Sequence, residues 1–404
     1  MTAVQPPAAG PTGHPLGAER VRQLPAGGLA GLLMEATGGD VVNLAVGTPG
    51  WPVTPPELVK SAVHALQEGV NQYEDPAGSM RLREWIADSL PGRPDPLSEV
   101  TVTAGASEGL AVALLTCVDP GDEVILLEPF YENFLSAIAL AGGVPRYVPA
   151  GGPDWALDPA ALTAAFGPRT RAIVINSPSN PTGRLLSDEE LRLIAELCAK
   201  WDVVAVSDEV YATFVYDGAR HRSAAEVPGL ADRSIVLGSF SKSHAVSGWR
   251  LGYVRAPEPW TRLLRQVHVA TTGGAASPLQ HAVAHGGPVL GDGWDPAASM
   301  RPLRDHAVRM LGAAGFECAV PQGGVYVMAG IRGLTQSSSP RFVRELAERT
   351  GVLLAPATPF FAESRRGARY VRVAFNRPEA TLLEAHRRLN GGPAPSAKQR
   401  STFP

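Results

Sequence analysis

Six short runs rich in β-branched and aliphatic residues recur along the chain with helical patterns between them: Val100 to Thr103, Val124 to Leu127, Ala172 to Asn176, Val203 to Ser207, Ser234 to Gly238 and Leu251 to Arg255. Strands that alternate with helices are joined by crossovers, which set them side by side in a mostly parallel sheet with helices on both faces. One crossover is well marked. Ser187 with Glu190 three residues on forms a capping box, and Leu191, Ile194, Ala195 and Cys198 make an apolar stripe over the predicted helix from Asp188 to Lys200. The Gly- and Pro-rich stretch from Gly286 to Pro302 is expected to break this pattern. The segments beyond it, including Phe316 to Ile331 and Tyr370 to Phe375, are expected to form a smaller α+β domain.

With 404 residues, 45% of them hydrophobic, the chain can fill more than one core. A formal net charge of −3 and a pI near 6.3 leave no electrostatic footprint for nucleic acid, and no basic block suits an anionic membrane surface. No apolar run reaches the roughly 18 residues of a membrane span. Cys117, Cys198 and Cys318 lie far apart, without the spacing of a disulfide framework or a thiolate zinc site, so a reducing, cytoplasmic setting is expected. No metal site is expected, and His244 and His268 read as structural. Residues 1–20 and 392–404 are Pro-, Ala- and Gly-rich and are expected to be mobile tails.

The chemistry centres on Lys242, in Ser239-Phe240-Ser241-Lys242, which leads through Ser247-Gly248-Trp249-Arg250 into an apolar run. A lysine amine attacks an aldehyde best when desolvation and a nearby cation such as Arg250 lower its pKa. Asp208 follows the apolar run Val203 to Val206 at the carboxyl edge, where open α/β sheets bind ligands. Its carboxylate suits a protonated ring nitrogen. Asn180 and Tyr211 offer hydrogen-bond donors from neighbouring post-strand turns, and Tyr131 an aromatic face. Gly105-Ala106-Ser107 forms a strand-to-helix turn whose N–H groups suit a phosphate, with Ser239 and Arg250 beside it. Arg372 offers the planar fork that reads a carboxylate. A rival exists: Gly105-Ala106-Ser107-Glu108-Gly109 also satisfies the G-x-S-x-G of a hydrolase nucleophile elbow, but that reading leaves Asn180, Asp208, Lys242 and Arg250 without a purpose.

Together these segments resemble the fold-type I pyridoxal phosphate enzymes of the class I and II aminotransferase superfamily, from about Asn43 to Asn390. The phrases Val42 to Pro49, Asn71-Gln72-Tyr73, Glu128-Pro129-Phe130-Tyr131 and Ser207 to Tyr211 are most similar to the kynurenine/glutamine aminotransferase group. The resemblance implies an α/β fold with a mostly parallel seven-stranded sheet in a large domain, residues 50–288. It also implies a small α+β domain from residues 21–49 and 289–391. It makes pyridoxal 5′-phosphate the cofactor and Lys242 the Schiff-base and proton-shuttling residue. Asp208 becomes the ring-nitrogen partner, and Asn180 and Tyr211 the ring-oxygen donors. Gly105, Ala106, Ser107, Ser239 and Arg250 hold the phosphate and Tyr131 stacks on the ring. Arg372 anchors the substrate carboxylate with Asn180, and Gly47 lies at the substrate mouth. Family members are usually homodimers that share their sites, and Tyr73 stands where a tyrosine reaches the phosphate of the opposite subunit. The implied reaction is transfer of an amino group between an L-amino acid and a 2-oxo acid through a Cα carbanion. The alternative is a lyase or cyclase of the same fold, because the carbanion does not fix its own fate. Gly273-Gly274-Ala275-Ala276 and Val325 stand where relatives carry bulk, which predicts a widened side-chain pocket and a large substrate.

Overall fold

The computed structural model describes residues 16–22, 24, 41–151 and 154–391. The expected tails therefore lie largely outside the described residues. Residues 16–20 are described, and Glu19–Arg22 is one turn of helix.

The main sheet has eight strands: β2 (Val100–Thr103), β3 (Glu123–Glu128), β4 (Val144–Gly151), β5 (Ala156–Leu157), β6 (Thr170–Asn176), β7 (Val204–Asp208), β8 (Ser234–Ser239) and β9 (Gly252–Arg255). Their spatial order is β2-β9-β8-β7-β6-β3-β4-β5. From β8 through β7, β6 and β3 to β4 every pairing is parallel, while β9 runs against both its neighbours and β5 against β4. The expected seven strands become eight because the two-residue β5 closes onto the end of β4. β4 itself carries Pro145 and Pro149, which weaken its strand signal. Prolines are tolerated there because most of the outer side of β4 is unpaired.

The strands look continuously apolar because both faces are buried. In β6, Ala172 and Val174 face one core while Ile173 and Ile175 face the other, following the period of two. The first core is roofed by the helices Ala106–Cys117, Asn133–Ala141 and Glu258–Thr271, the second by Pro159–Ala165 and Asp188–Trp201. The last of these starts on the expected capping box, with Ser187 Oγ accepting from Glu190 N–H and the Glu190 carboxylate from Ser187 N–H at 2.8 Å. Each buried Leu or Ile in such a core contributes roughly 1.5–3 kcal/mol.

The expected break at Gly286 to Pro302 is confined to residues 291–295, where a 3-10 turn over Gly291–Gly293 separates two helices. Helices cover Ser277–Leu290 and Pro296–Ala313, with Pro288 and Pro302 inside them. Gly286 and Gly287 let the first pack tightly, since a Cβ on them would stand 3.0 Å from Leu58 Cδ2 and 2.7 Å from Trp85. These two glycines serve helix packing, while Gly291, at φ 54°, makes the turn.

A second group of strands comprises β1 (Val42–Asn43), β10 (Glu317–Cys318), β11 (Tyr326–Gly330), β12 (Val352–Leu353), β13 (Ala355–Pro356) and β14 (Tyr370–Ala374). β10-β11-β14-β13 form an antiparallel sheet, and β1 pairs with β12 in parallel. One core joins Val42, Leu44 and Ala45 to residues as distant as Leu382, and also takes in Tyr211, Phe214 and Tyr216.

Candidate active site

Topology brings the candidate residues to one edge. Asn176, Asp208 and Ser239 end β6, β7 and β8, and Thr103 ends β2. Because β9 runs the other way, its start lies at the same edge, with Gly252 in register with both Thr103 and Ser239. Arg250, held in the left-handed region at φ 51°, thereby enters the site from the beginning of a strand rather than the end of one. A cavity of about 590 Å³ opens here, and Gly47, Ser107, Asn180, Asp208, Lys242 and Arg372 all line it. Ala106, Tyr131, Tyr211, Ser239 and Arg250 line it too.

The floor is a tight cradle. Gly105 caps the helix Ala106–Cys117 at φ 80°, and a Cβ there would stand 2.5 Å from Arg250 Nη2. Only glycine permits that approach. Arg250 donates to Ser247 O at 3.0 Å, and no carboxylate pairs with it among the described residues. Ser239 Oγ accepts from Ser241 N–H at 3.1 Å. A helix N-terminus, a hydroxyl and a guanidinium without a carboxylate partner are groups that suit a phosphate.

The walls carry the titrating groups. Asp208 is buried without a cationic partner among the described residues, and burial pushes its carboxyl up to about 7, opposed by the Val210 N–H at 3.2 Å. Lys242 Nζ donates to Gly47 O at 2.9 Å, and burial lowers its pKa with help from Arg372, Arg250 and Arg377. Burial, reinforced by Tyr326, lifts the Tyr211 phenol well above its ordinary value. Burial pushes the Tyr131 phenol up to about 12, and its hydroxyl accepts from Asn133 Nδ2 at 2.9 Å. Arg372 donates to Asn180 Oδ1 at 2.9 Å and to Ala45 O at 2.8 Å, between the rings of Tyr326 and Phe360 at 4.3 and 4.8 Å.

Several participants have no signal in the sequence motifs. Tyr326 lies over Gly47, where a Cβ would fall 1.6 Å from its hydroxyl, and accepts from Tyr211 Oη at 3.3 Å. Burial raises its phenol, but Arg372 and Lys242 outweigh burial and bring it below the ordinary tyrosine value. Asn376 donates to Gly47 O at 3.1 Å, and Arg377 holds the carbonyls of Asn43, Val46 and Thr48. Glu128 accepts from Ala362 N–H and from Arg366, each at 2.6 Å, and so ties the end of β3 to the loop that carries Phe360.

Other expectations are corrected. Val325 is buried in the core with β11, Ala275 packs in the core with Leu58, Leu82 and Val283, and none of Gly274, Ala275, Ala276 and Val325 lines the cavity of its own chain. Tyr73 stands 99% exposed, away from the cavity of its own chain. Among the described residues no histidine lines the cavity beside Ser107, so the hydrolase reading lacks its base. No cluster of metal ligands occurs among the described residues, and no helix among them is long and apolar enough to cross a membrane.

The fit to pyridoxal phosphate is specific. A buried, uncompensated Asp208 matches a protonated ring nitrogen, the glycine cradle with Arg250 a phosphate, and a half-buried lysine with lowered pKa an aldehyde.

Residues 39–389 match the family of class I and II aminotransferases. The chain is 34% identical to kynurenine–oxoglutarate transaminase 1 of Rattus norvegicus over 390 residues, covering 87% of this chain and 92% of that protein. It is 37% identical to a probable N-succinyldiaminopimelate aminotransferase of Mycobacterium tuberculosis, over 88% of this chain and 93% of the relative. The solved N-succinyldiaminopimelate aminotransferase of that organism superposes with a TM-score of 0.87 at 36% identity, covering 93% of this chain and 99% of the other. YbdL of Escherichia coli, identified with a methionine aminotransferase function, superposes with a TM-score of 0.88 at 29% identity, covering 93% and 99%. The fold, the fitted cofactor site and these similarities agree that the chain belongs to the class I and II aminotransferases and is a pyridoxal phosphate-dependent enzyme acting on an amino acid and an oxo acid.

Proposed function

We propose that this aminotransferase prefers L-amino acids with uncharged, largely apolar side chains, holding the α-carboxylate on Arg372 and moving the Cα proton with Lys242. The observation that carries the reading is the Arg372 guanidinium. It is buried, has no carboxylate partner among the described residues, and keeps an unsatisfied Nε. A buried cation without an anion is costly, so the site is built for an anion from outside.

When bound, pyridoxal phosphate supplies an aldehyde for amines and a ring that takes up the electron pair left at Cα. The chain's residues do the rest. Asp208 would hold a proton on the ring nitrogen, and Asn180 and Tyr211 would donate to the ring oxygen. Tyr131 would cover a ring face, while Arg250, Ser239 and the Gly105-Ala106-Ser107 turn would hold the phosphate. Lys242, its pKa already lowered, accepts the Cα proton and returns it. Asn180 accepts from Arg372 directly and so would couple the carboxylate anchor to the cofactor ring.

The side-chain preference rests on the remaining wall. Leu110, Phe134, Ala137 and Leu140 face the cavity, and besides Lys242 its lining cations are Arg250 and Arg372, both already assigned. That leaves no partner for a second carboxylate among the described residues. Kynurenine and methionine, named for two of the relatives, have uncharged side chains; succinyldiaminopimelate does not. Initial rates over a donor panel test this: aspartate or glutamate outpacing phenylalanine, methionine and leucine in kcat/KM would sink the preference.

The reading includes a cytoplasmic homodimer with large domain 50–288 and small domain 21–49 with 289–391. The exposed stripe Val59, Val63 and Leu66 on the helix Pro56–Gln67 and the bare Tyr73 support a second copy on this face.

A further inference from the structure

His268 is fully buried, and both its ring nitrogens meet acceptors. Nδ1 lies 2.7 Å from Glu108 Oε1 and Nε2 lies 2.8 Å from the carbonyl of Pro76. A neutral imidazole has one N–H, so only the imidazolium satisfies both contacts. The two acceptors belong to different elements. Glu108 is in the first turn of the helix Ala106–Cys117, where its other oxygen accepts from Ala104 N–H just before the Gly105 turn. Pro76 follows Tyr73 in a loop pinned by Val102 N–H donating to Ala77 O at 2.9 Å and by Ser79 N–H donating to Gln280 Oε1 at 2.8 Å.

We propose that His268 is a positioning residue which, as a buried imidazolium, ties the phosphate-binding turn of its own subunit to the loop that presents Tyr73 to the other site. The inference rests on the reading that the Gly105-Ala106-Ser107 turn takes the cofactor phosphate. A carboxylate in that helix's first turn competes with a phosphate for the positive end of the helix and repels it. The imidazolium neutralises Glu108 and turns the repelling group into an anchor. Thr272 Oγ1 donates to the same carboxylate.

The surrounding charges are few. Arg265 lies on the helix of His268 and opposes its protonation. Asp75 and Arg83, paired at 3.1 Å, and Glu74 and His281, paired at 2.9 Å, flank the loop. Burial disfavours the imidazolium, yet Glu108 outweighs it and the pKa is raised. The tie is therefore intact at low pH and is lost as pH rises through that raised value.

The test is the affinity of the full chain, stripped of cofactor, for pyridoxamine 5′-phosphate between pH 7 and 9.5. This probe carries the phosphate but no aldehyde, and above pH 7 its phosphate is already a dianion. Asp208, Lys242 and the probe's ring nitrogen titrate in every variant, so the reading is the difference between profiles: wild type is expected to weaken more steeply across the range than either variant below. His268→Gln should bind more weakly than wild type at pH 7 and converge with it at high pH, giving a shallower profile. Glu108→Gln, which removes the need for a cation, should also flatten the profile while staying folded by circular dichroism, and it serves alone if His268→Gln does not fold. Ser107→Ala probes the underlying reading. If Ser107→Ala weakens binding but the folded variant of Glu108 or His268 keeps the wild-type affinity and pH profile, the tie is refuted. If Ser107→Ala binds as tightly as wild type, the phosphate reading fails and the inference with it.

Discussion

Replacing Asp208 with asparagine is expected to stabilise the cofactor-free protein above neutral pH while disabling the enzyme. Burial lifts the Asp208 carboxyl from 3.8 to about 7. A group raised in this way leaves stability intact below its unfolded pKa and removes it as pH climbs to the folded value, beyond which the cost is constant. The interval is close to three units, and at about 1.36 kcal/mol each the cost of the ionised form is about 4 kcal/mol. Asparagine keeps the acceptor for Val210 N–H and carries no charge, so it escapes that cost. For a chain of this length the difference corresponds to about 5 °C in thermal midpoint. Melting curves of stripped wild type and Asp208→Asn at pH 5 and pH 8.5 check this. The variant should melt higher, by more at pH 8.5, and added pyridoxal phosphate should close the gap by giving the wild-type carboxylate its cation. Equal midpoints at both pH values, or a wild type that melts higher without cofactor at pH 8.5, would refute the account of Asp208.

Lys242→Ala should leave no lysine joined to the cofactor after borohydride reduction, because Lys242 is the lysine that lines the cavity, and mass mapping of the reduced wild type reads this directly. Arg372→Ala should lower kcat/KM for amino acids by roughly a hundredfold, the worth of a charged bidentate contact, with melting temperature as the control for folding. Gly47→Ala should cripple activity because its Cβ overlaps the Tyr326 hydroxyl, and Tyr326→Ala in the same chain should recover part of the loss. Mixed dimers of Tyr73→Phe and Lys242→Ala subunits should retain one intact site, hence about half the wild-type activity, if Tyr73 serves the opposite subunit; activity at the level of a Tyr73→Phe site would place it in its own.

How much was legible depended on whether function imposed a local pattern. Lys242, Asp208, Asn180 and Arg372 each stand in a short phrase whose chemistry is constrained, and the structure gathers them around one cavity. The strands of the large sheet were legible because burial on both faces makes them continuously apolar, whereas β4 was hidden by Pro145 and Pro149. Gly286 and Gly287 misled because a glycine that admits a neighbouring helix reads like one that makes a turn. Val325 was chosen as a pocket wall one residue away from Tyr326, and neighbours in an extended segment face opposite sides. Asn376, Arg377 and the Glu128–Arg366 pair act through contacts between segments far apart in the chain, which no local window displays.

The central claim, amino transfer by this site, has one direct measurement. Purified enzyme loaded with pyridoxal phosphate is mixed with an excess of phenylalanine or methionine, with and without a 2-oxo acid, and its absorption spectrum is followed. The account predicts that without the oxo acid the cofactor converts to its amine form with one equivalent of oxo acid released, and that adding a 2-oxo acid restores the aldehyde form. Continuous formation of oxo acid and ammonia without an acceptor, or a spectrum no amino acid changes, would contradict it.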